Sequence, residues 1–270
     1  MSEDREINTV QDNFSYSNML ENIPTIKNEL VSGDEVFTSS VIQRSKQILE
    51  SMVDYKELIM MYTCALKEVR TKFEVLNTEF NVRYARNPIN FINTRIKKTS
   101  SILEKLGRKG LSFNIENIEN NVNDIAGIRV ICSYVDDIYF IADALTKQDD
   151  IKLVQVKDYI KNPKPNGYRS LHLIVSVPVF FSEQTRDMKV EVQIRTIAMD
   201  FWASLEHQLK YKKSVENEGE IVRQLKKCAD TISSTDAKML ELRKLIEKDG
   251  SAVQDEDIFE KLRKIDISID

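Results

Sequence analysis

The chain holds 270 residues, 41% of them hydrophobic and 30% charged, which suits a globular protein with a real core: one large domain, or a medium one with extensions. Its formal charge of −4 argues against a protein whose whole surface grips nucleic acid. No apolar run approaches the ~20 residues of a membrane helix, and the start, MSEDREINTV, lacks the basic residues and apolar stretch of a signal peptide; a cytoplasmic protein with no membrane partner is expected.

Residues 1–38 form a polar extension in which eight acids face only Arg5 and Lys27, with Pro24 and Gly33 as breakers. From Ser39 the spacing predicts helix, since Val41, Ile48, Met52, Leu58 and Ile59 recur at three- and four-residue steps. Residues 70–85 stay open between helix and strand: Phe80, Val82 and Tyr84 alternate, but Val75–Leu76 breaks the period. Asn87-Pro88 is read as opening a new helix, with Asn as cap and Pro in the first turn, that ends near Gly107–Gly110. Strands are predicted over Ala126–Cys132 and Ile151–Ile160, with a helix over Asp136–Lys147 between them. The loop NPKPNGY leads into a strand over Ser170–Val179, and a strand over Lys189–Arg195 runs into a helix over Thr196–Tyr211. The stretch 214–270 is charged and periodic in Ile221, Leu225, Met239, Leu240, Leu242, Leu245 and Ile246, so helices are expected there. Strands separated by single helices give the α/β (α+β) class, a mixed sheet flanked by helices with helical extensions at both ends. Cys64, Cys132 and Cys228 are far apart, with no CxxC pair, and read as buried free thiols in a reducing compartment.

The chemistry concentrates in three places. Residues 83–110 hold eight cations against Glu104 alone. Lys97, Ser101, Lys105 and Arg108 step by four, four and three residues, which puts them on one helix face, while Ile92, Ile96, Leu103 and Leu106 can pack on the other. Like charges stacked this way repel, and a polyphosphate reverses the sign: each cation–phosphate pair is worth roughly 4 kcal/mol at ~4 Å and an effective dielectric of ~20, before desolvation. Arg95 lies close by and can stack on a base. A lysine-rich solvated face is the plainer alternative. Neither GxGxxG nor GxxxxGK[ST] occurs, so no glycine cradle holds the phosphates. Asp124 just before AGIRVIC and Glu191 at the start of EVQIRT are two carboxylates on two strands that can share Mg²⁺. Glu191, Gln193 and Arg195 face one side of their strand, either toward solvent or into a cleft, with Val192 and Ile194 toward the core. The loop Lys164-Pro165-Asn166-Gly167-Tyr168 presents Tyr168 either as a stacking platform or as a loop anchor. His172 lies opposite Leu171, Leu173 and Val175, and a lone histidine there is more often structural; Trp202 and His207 are taken as packing and capping residues.

These pieces in this order resemble the RelA/SpoT-type synthetase domain, specifically the small alarmone synthetases of the RelQ type. The matching residues are RIKKTSSILEKLGRKG, NDIAGIRVIC, KDYIKNPKPNGYRSLH and EVQIRTIAMDFWASLEHQLKYK, within roughly residues 40–213. The resemblance implies a nucleotidyltransferase-like fold and transfer of the ATP β,γ-pyrophosphate to the 3′-hydroxyl of GDP or GTP, releasing AMP and (p)ppGpp. It divides the chain into the extension 1–38, an alarmone synthetase domain over 39–213 and charged C-terminal helices over 214–270. Carried over, it gives Arg95 and Arg129 to the adenine, and Lys97, Ser101, Lys105 and Arg108 to the donor phosphates. Asp124 and Glu191 become the metal ligands, with Glu191 also the base. Tyr168 is implied to stack on guanine, with Lys164, His172 and Gln193 near the acceptor. Phe91, taken as the start of the basic helix, matches a position lining an allosteric cleft for (p)ppGpp in a homotetramer. The helices after residue 213 would be covered by a neighbouring subunit, or else fold back on their own domain. Single-stranded RNA is a further expected partner. Long relatives add an HxxHD hydrolase site, which His172 and His207, each not followed by Asp, cannot form. Two rivals remain: another nucleotidyltransferase, which would show a Gly-Ser pair before a DxD carboxylate pair, and a non-catalytic RNA- or nucleotide-sensing module on the same fold.

Overall fold

Stretches of Val, Ile and Thr that alternate with polar residues fit a pleated surface with one apolar face, and five of them form one sheet in the computed structural model, which describes residues 35–84, 86–211 and 218–250. Most of the extension 1–38 and residues 251–270 lie outside the described residues. The elements run α1 (Glu35–Arg83), β1 (Ile89–Ile96), α2 (Thr99–Arg108), α3 (Ile115–Asn121), β2 (Ala126–Cys132), α4 (Val135–Thr146), β3 (Lys152–Asp158), β4 (Leu171–Phe180), β5 (Thr185–Thr196), α5 (Ile197–Tyr211) and α6 (Glu218–Gly250). The strand order is β1-β2-β5-β4-β3. Only β2 and β5 pair in parallel; the other neighbours are antiparallel, so the mixed sheet is as expected.

The chain divides into two compact units, residues 1–53 and 54–270. The described part of the first is the opening of α1, where Val41, Ile42, Ile48, Leu49, Met52 and Val53 are exposed. In the second, Ile128 and Val130 of β2 and Val190, Val192 and Ile194 of β5 join Phe73 of α1, Ile102 and Leu106 of α2 and Ile138, Ile141 and Leu145 of α4 in one core. The residues between them on the two strands, Arg129, Glu191, Gln193 and Arg195, therefore face the opposite side of the sheet. On that side Trp202 and Ala203 of α5 and Ala229 of α6 form a smaller cluster with Tyr168 packed against it.

Several expectations are corrected. The stretch left open between helix and strand continues α1 as far as Arg83. Asn87-Pro88 opens a strand instead of a helix: Asn87 Oδ1 accepts the Ile89 N–H at 2.9 Å, and β1 pairs with β2 from Ile89↔Cys132 to Ile96↔Ala126. Pro just before an edge strand costs no ladder bond, and β-branched Ile89, Ile92, Thr94 and Ile96 favour the pleat. Phe91 thus lies on β1, exposed, and not at a helix start. The helix begins only at Thr99, after Lys98 in extended conformation, so Lys97 enters from the end of β1 and the helical stripe is Ser101, Lys105 and Arg108. Ile102 is the buried neighbour and Leu103 is exposed. Helix α3 was unforeseen, although its cap, Asn114 accepting from the Asn117 N–H at 2.7 Å, is visible in the sequence as an Asn before Ile-Glu-Asn. Cys132 is buried and Cys64 half-buried, but Cys228 is exposed. Finally, α6 folds back on its own chain. Trp202 Nε1 donates to the Leu225 carbonyl at 3.0 Å, Arg169 Nη2 meets Asp230 at 2.9 Å, Thr196 Oγ1 donates to Asp236 at 2.6 Å and Arg243 Nη2 meets Asp136 at 2.6 Å.

Candidate functional site

The parallel pairing of β2 with β5 sets Gly127 beside Glu191 and Arg129 beside Gln193. Asp124, two residues before β2, falls at the same end of the sheet as Glu191. Here Lys97 and Lys105 both close on Asp124, at 3.0 Å to Oδ2 and 2.8 Å to Oδ1. Burial pushes this carboxyl upward, and the hydrogen bonds and charges of Lys105 and Lys97 outweigh it, leaving Asp124 below the usual carboxylate range. The stripe read as a repulsive stack is thus relieved by an acid from another element. Ser101 is half-buried and Arg108 exposed on the same helix, α2.

A cavity of 520 Å³ opens on the polar face of the sheet and gathers Arg95, Arg129, Lys164, Tyr168, His172 and Gln193. Gln193 and Arg195 of the polar triplet of β5 therefore line a cleft, and Glu191 stands behind it, bonded to Gln193 and facing His172. Gly167, at φ +91°, lies against α6: a Cβ there would come within 2.4 Å of the Ala229 Cβ. That positive φ aims Tyr168 inward, and the Lys164 ammonium sits 4.7 Å from the ring centres of both Tyr159 and Tyr168. His172 Nε2 is 2.8 Å from the Tyr168 hydroxyl, and its Nδ1 is 3.3 Å from Glu191 Oε1. Burial lowers the His172 pKa, the Arg195 and Lys164 cations lower it further, and Glu191 only partly compensates, so the ring is neutral near pH 7. Burial raises Glu191 in turn, yet the bonds from His172 and Gln193 prevail and hold it below the ordinary range. Both carboxylates are ionised. Among the described residues no group of three or more His, Cys, Asp or Glu side chains is placed to hold an ion.

Lys97, Ser101, Lys105, Arg108, Asp124 and Glu191 do not line that cavity; Glu191 reaches it through His172 and Gln193, while Lys97, Lys105 and Asp124 form their own group where β1 ends and α2 begins. Phe91 is elsewhere on β1 and joins neither group. A second cavity, of 410 Å³, lies at the other end of β1 and β2, where Arg86, Asp136, Asp137, Arg243 and Glu247 pair among themselves. Sequence reasoning missed Asp200, which meets Arg129 Nη1 at 3.2 Å and Arg195 Nη1 at 3.1 Å, and Tyr159, which faces His172 edge-on at 5.2 Å. It noted Arg195 without giving it work, although its two-residue spacing from Gln193 was the signal. His207, read as a capping residue, is exposed at the cavity's rim.

The profile of the region found in RelA / SpoT proteins matches residues 94–216. The GTP pyrophosphokinase YwaC of Bacillus subtilis is 42% identical over 196 residues, 73% of this chain and 93% of that protein. The crystal structure of small alarmone synthetase 2 from Bacillus subtilis is similar, with a TM-score of 0.63 and 43% identity over 71% of this chain and 98% of its own. Small alarmone synthetase 1 from the same organism, bound to its product pppGpp, matches with a TM-score of 0.66 and 34% identity over 72% and 98%.

Proposed function

Since this chain belongs to the RelA/SpoT family, among its small alarmone synthetases of the RelQ type, we propose that it is a GTP pyrophosphokinase. It carries the β,γ-pyrophosphate of ATP to the 3′-hydroxyl of GDP or GTP and releases AMP with (p)ppGpp. The observation that carries the reading is the juxtaposition at the β2–β5 seam. A carboxylate flanked by two lysines lies just before β2, at the end of the seam where Glu191 pairs beside Gly127, and Glu191 in turn is bonded to His172 and Gln193 of the cavity that holds Tyr168.

Each group has work that its surroundings suit. Arg95 and Arg129 flank the donor's base from neighbouring strands. Lys97, Ser101, Lys105 and Arg108 hold its phosphates and take up charge as the pyrophosphoryl group moves. Tyr168 stacks on guanine beside Lys164, His172 and Gln193. Glu191, ionised and buried, accepts the proton of the 3′-hydroxyl, which is otherwise a poor nucleophile. Asp124 and Glu191 are hard, acceptor-only oxygen donors, the set Mg²⁺ takes when substrate phosphates and water complete its shell. Mg²⁺ would supply charge neutralisation on the phosphates. Among the described residues no helix is long and apolar enough to cross a membrane, and a cytoplasmic enzyme is the reading that fits its nucleotide substrates. Family membership supports a homotetramer, Phe91 at an allosteric alarmone cleft, and single-stranded RNA as a further ligand.

The test is incubation with ATP, Mg²⁺ and either GDP or GTP, followed by chromatography. AMP with a guanosine tetra- or pentaphosphate is the expected result. Released pyrophosphate would indicate nucleotidyl transfer instead, and no turnover would indicate a sensing module.

A further inference from the structure

Arg195 is 4% exposed and has been given no role so far. Its Nε donates to Ser170 Oγ at 3.3 Å and its Nη1 to Asp200 at 3.1 Å, while Nη2 donates to both the Tyr168 hydroxyl at 2.6 Å and Gln193 Oε1 at 2.9 Å. A guanidinium has donors only, so the directions of the bonds beyond it follow. The Tyr168 oxygen accepts from Arg195. His172 Nδ1 faces Glu191, which when ionised only accepts, so the imidazole proton sits on Nδ1. The Tyr168 hydroxyl, whose oxygen is taken by Arg195, has His172 Nε2 at 2.8 Å as the acceptor for its own proton, which leaves Nε2 without one. On the other branch, the Gln193 carbonyl oxygen is held by Arg195, which turns its amide nitrogen to donate to Glu191 Oε2 at 2.8 Å. Two branches from one guanidinium thus converge on the two oxygens of one carboxylate.

We propose that Arg195 is a positioning residue for the base: through Tyr168 and Gln193 it fixes His172 as the Nδ1–H tautomer and aims Glu191 at the acceptor hydroxyl. This rests on the reading of Glu191 as the base. Tyr168 consequently has two separable parts, a ring face that binds the acceptor and a hydroxyl that orients the base.

Tyr168→Phe separates them. It keeps the stacking ring and removes the atom through which Arg195 reaches His172. The acceptor KM should stay within about twofold, while kcat falls by about tenfold or more, the usual loss when an outer partner stops orienting a reacting group. A side chain needed only for folding would not divide the two constants this way. Nitrogen NMR of the full chain, ¹⁵N-labelled at histidine and free of nucleotide, gives a second reading. Only His172 and His207 contribute, and His207→Gln assigns them. Wild-type His172 should show a single tautomer with a pyridine-type Nε2, and Tyr168→Phe a mixture. Arg195→Lys keeps the buried charge but not the fork, and should show the same mixture. Wild-type kcat in Tyr168→Phe, a rise confined to KM, or a proton on Nε2 in the wild type each overturns the proposal. Absence of AMP from the wild-type assay is instead a failure of the transferase reading, and the nucleotide-free spectrum decides the network by itself.

Discussion

Asp124 already accepts bonds from two ammonium groups, one on each oxygen, and these compete with any cation for the same carboxylate. In the proposed function the two lysines would pass from Asp124 to the donor's phosphates, and Asp124 would be one of the residues holding Mg²⁺. Asp124→Asn should therefore abolish turnover with the fold intact by circular dichroism, because a ligand loses its charge. The same substitution frees Lys97 and Lys105. In a chelator, with no metal present, calorimetry should show the variant binding ATP about fivefold tighter than the wild type, since a partly exposed ion pair is worth roughly 1 kcal/mol. Weaker binding would mean that the lysines never leave Asp124. At the acceptor side, Tyr168→Ala loses the ring as well as the hydroxyl. Base–aromatic stacking is worth ~1–3 kcal/mol, so initial-rate kinetics should show the acceptor KM rising about tenfold with that of ATP little changed. An equal rise in both would make Tyr168 a loop anchor. The residues for which such roles are proposed stood out in the sequence because each sits in a short run with a distinctive spacing. Asp200 and Tyr159 were not. Their partners lie on other elements, and nothing in the local pattern of an acid in a helix's first turn or a tyrosine after a strand reports such a pairing.

At the level of elements, β2, β4 and α5 follow their apolar periods to within a residue or two of the expected ends. The error at β1 has a physical cause: an edge strand buries little, so INFINTRI carries no clean alternation, and a proline before it satisfies the rules for a helix start and an edge strand alike. The loop before β4 was read correctly as a turn, but its tightness depends on α6, far along the chain. Gly167→Ala combines a left-handed backbone with a Cβ driven into Ala229. Strain of ~1–3 kcal/mol is expected, read as a lower melting temperature together with weaker acceptor binding. Asp236, where α6 meets the end of β5, gives a pH-dependent case. Burial raises its folded pKa above the ordinary 3.8, and the Thr196 hydrogen bond offsets only part of that. Its contribution to stability is present below the unfolded value and is lost as pH rises through the folded one. Asp236→Asn should accordingly raise the melting temperature by about 2 °C or more near pH 7 and leave it unchanged near pH 3.5. Calorimetry at the two pH values checks the sign.

For the whole molecule, the assembly proposal has a direct test. Light scattering should report a tetramer, and a monomer would remove it. Truncation after Lys213 deletes α6 and with it the partners of Trp202, Arg169 and Thr196. The shortened chain should melt earlier and bind the acceptor more weakly whatever its oligomeric state, because the helix supports the Tyr168 loop within one chain. The other large-scale consequence concerns counterions. Arg83 is matched by Glu79, Arg86 by Asp137, and Lys97 and Lys105 share Asp124, so half of the cations in the basic segment are paired within the fold, with three carboxylates. A polyanion meeting this surface exchanges few condensed ions, because the protein's own acids already occupy the positions. Single-stranded RNA should bind with a shallow dependence on salt, a log–log slope weaker than about −3, as roughly four engaged cations would give. A slope near twice that would show the internal acids yielding to the nucleic acid, and the resting protein would then be far more attractive to polyanions than its pairing suggests.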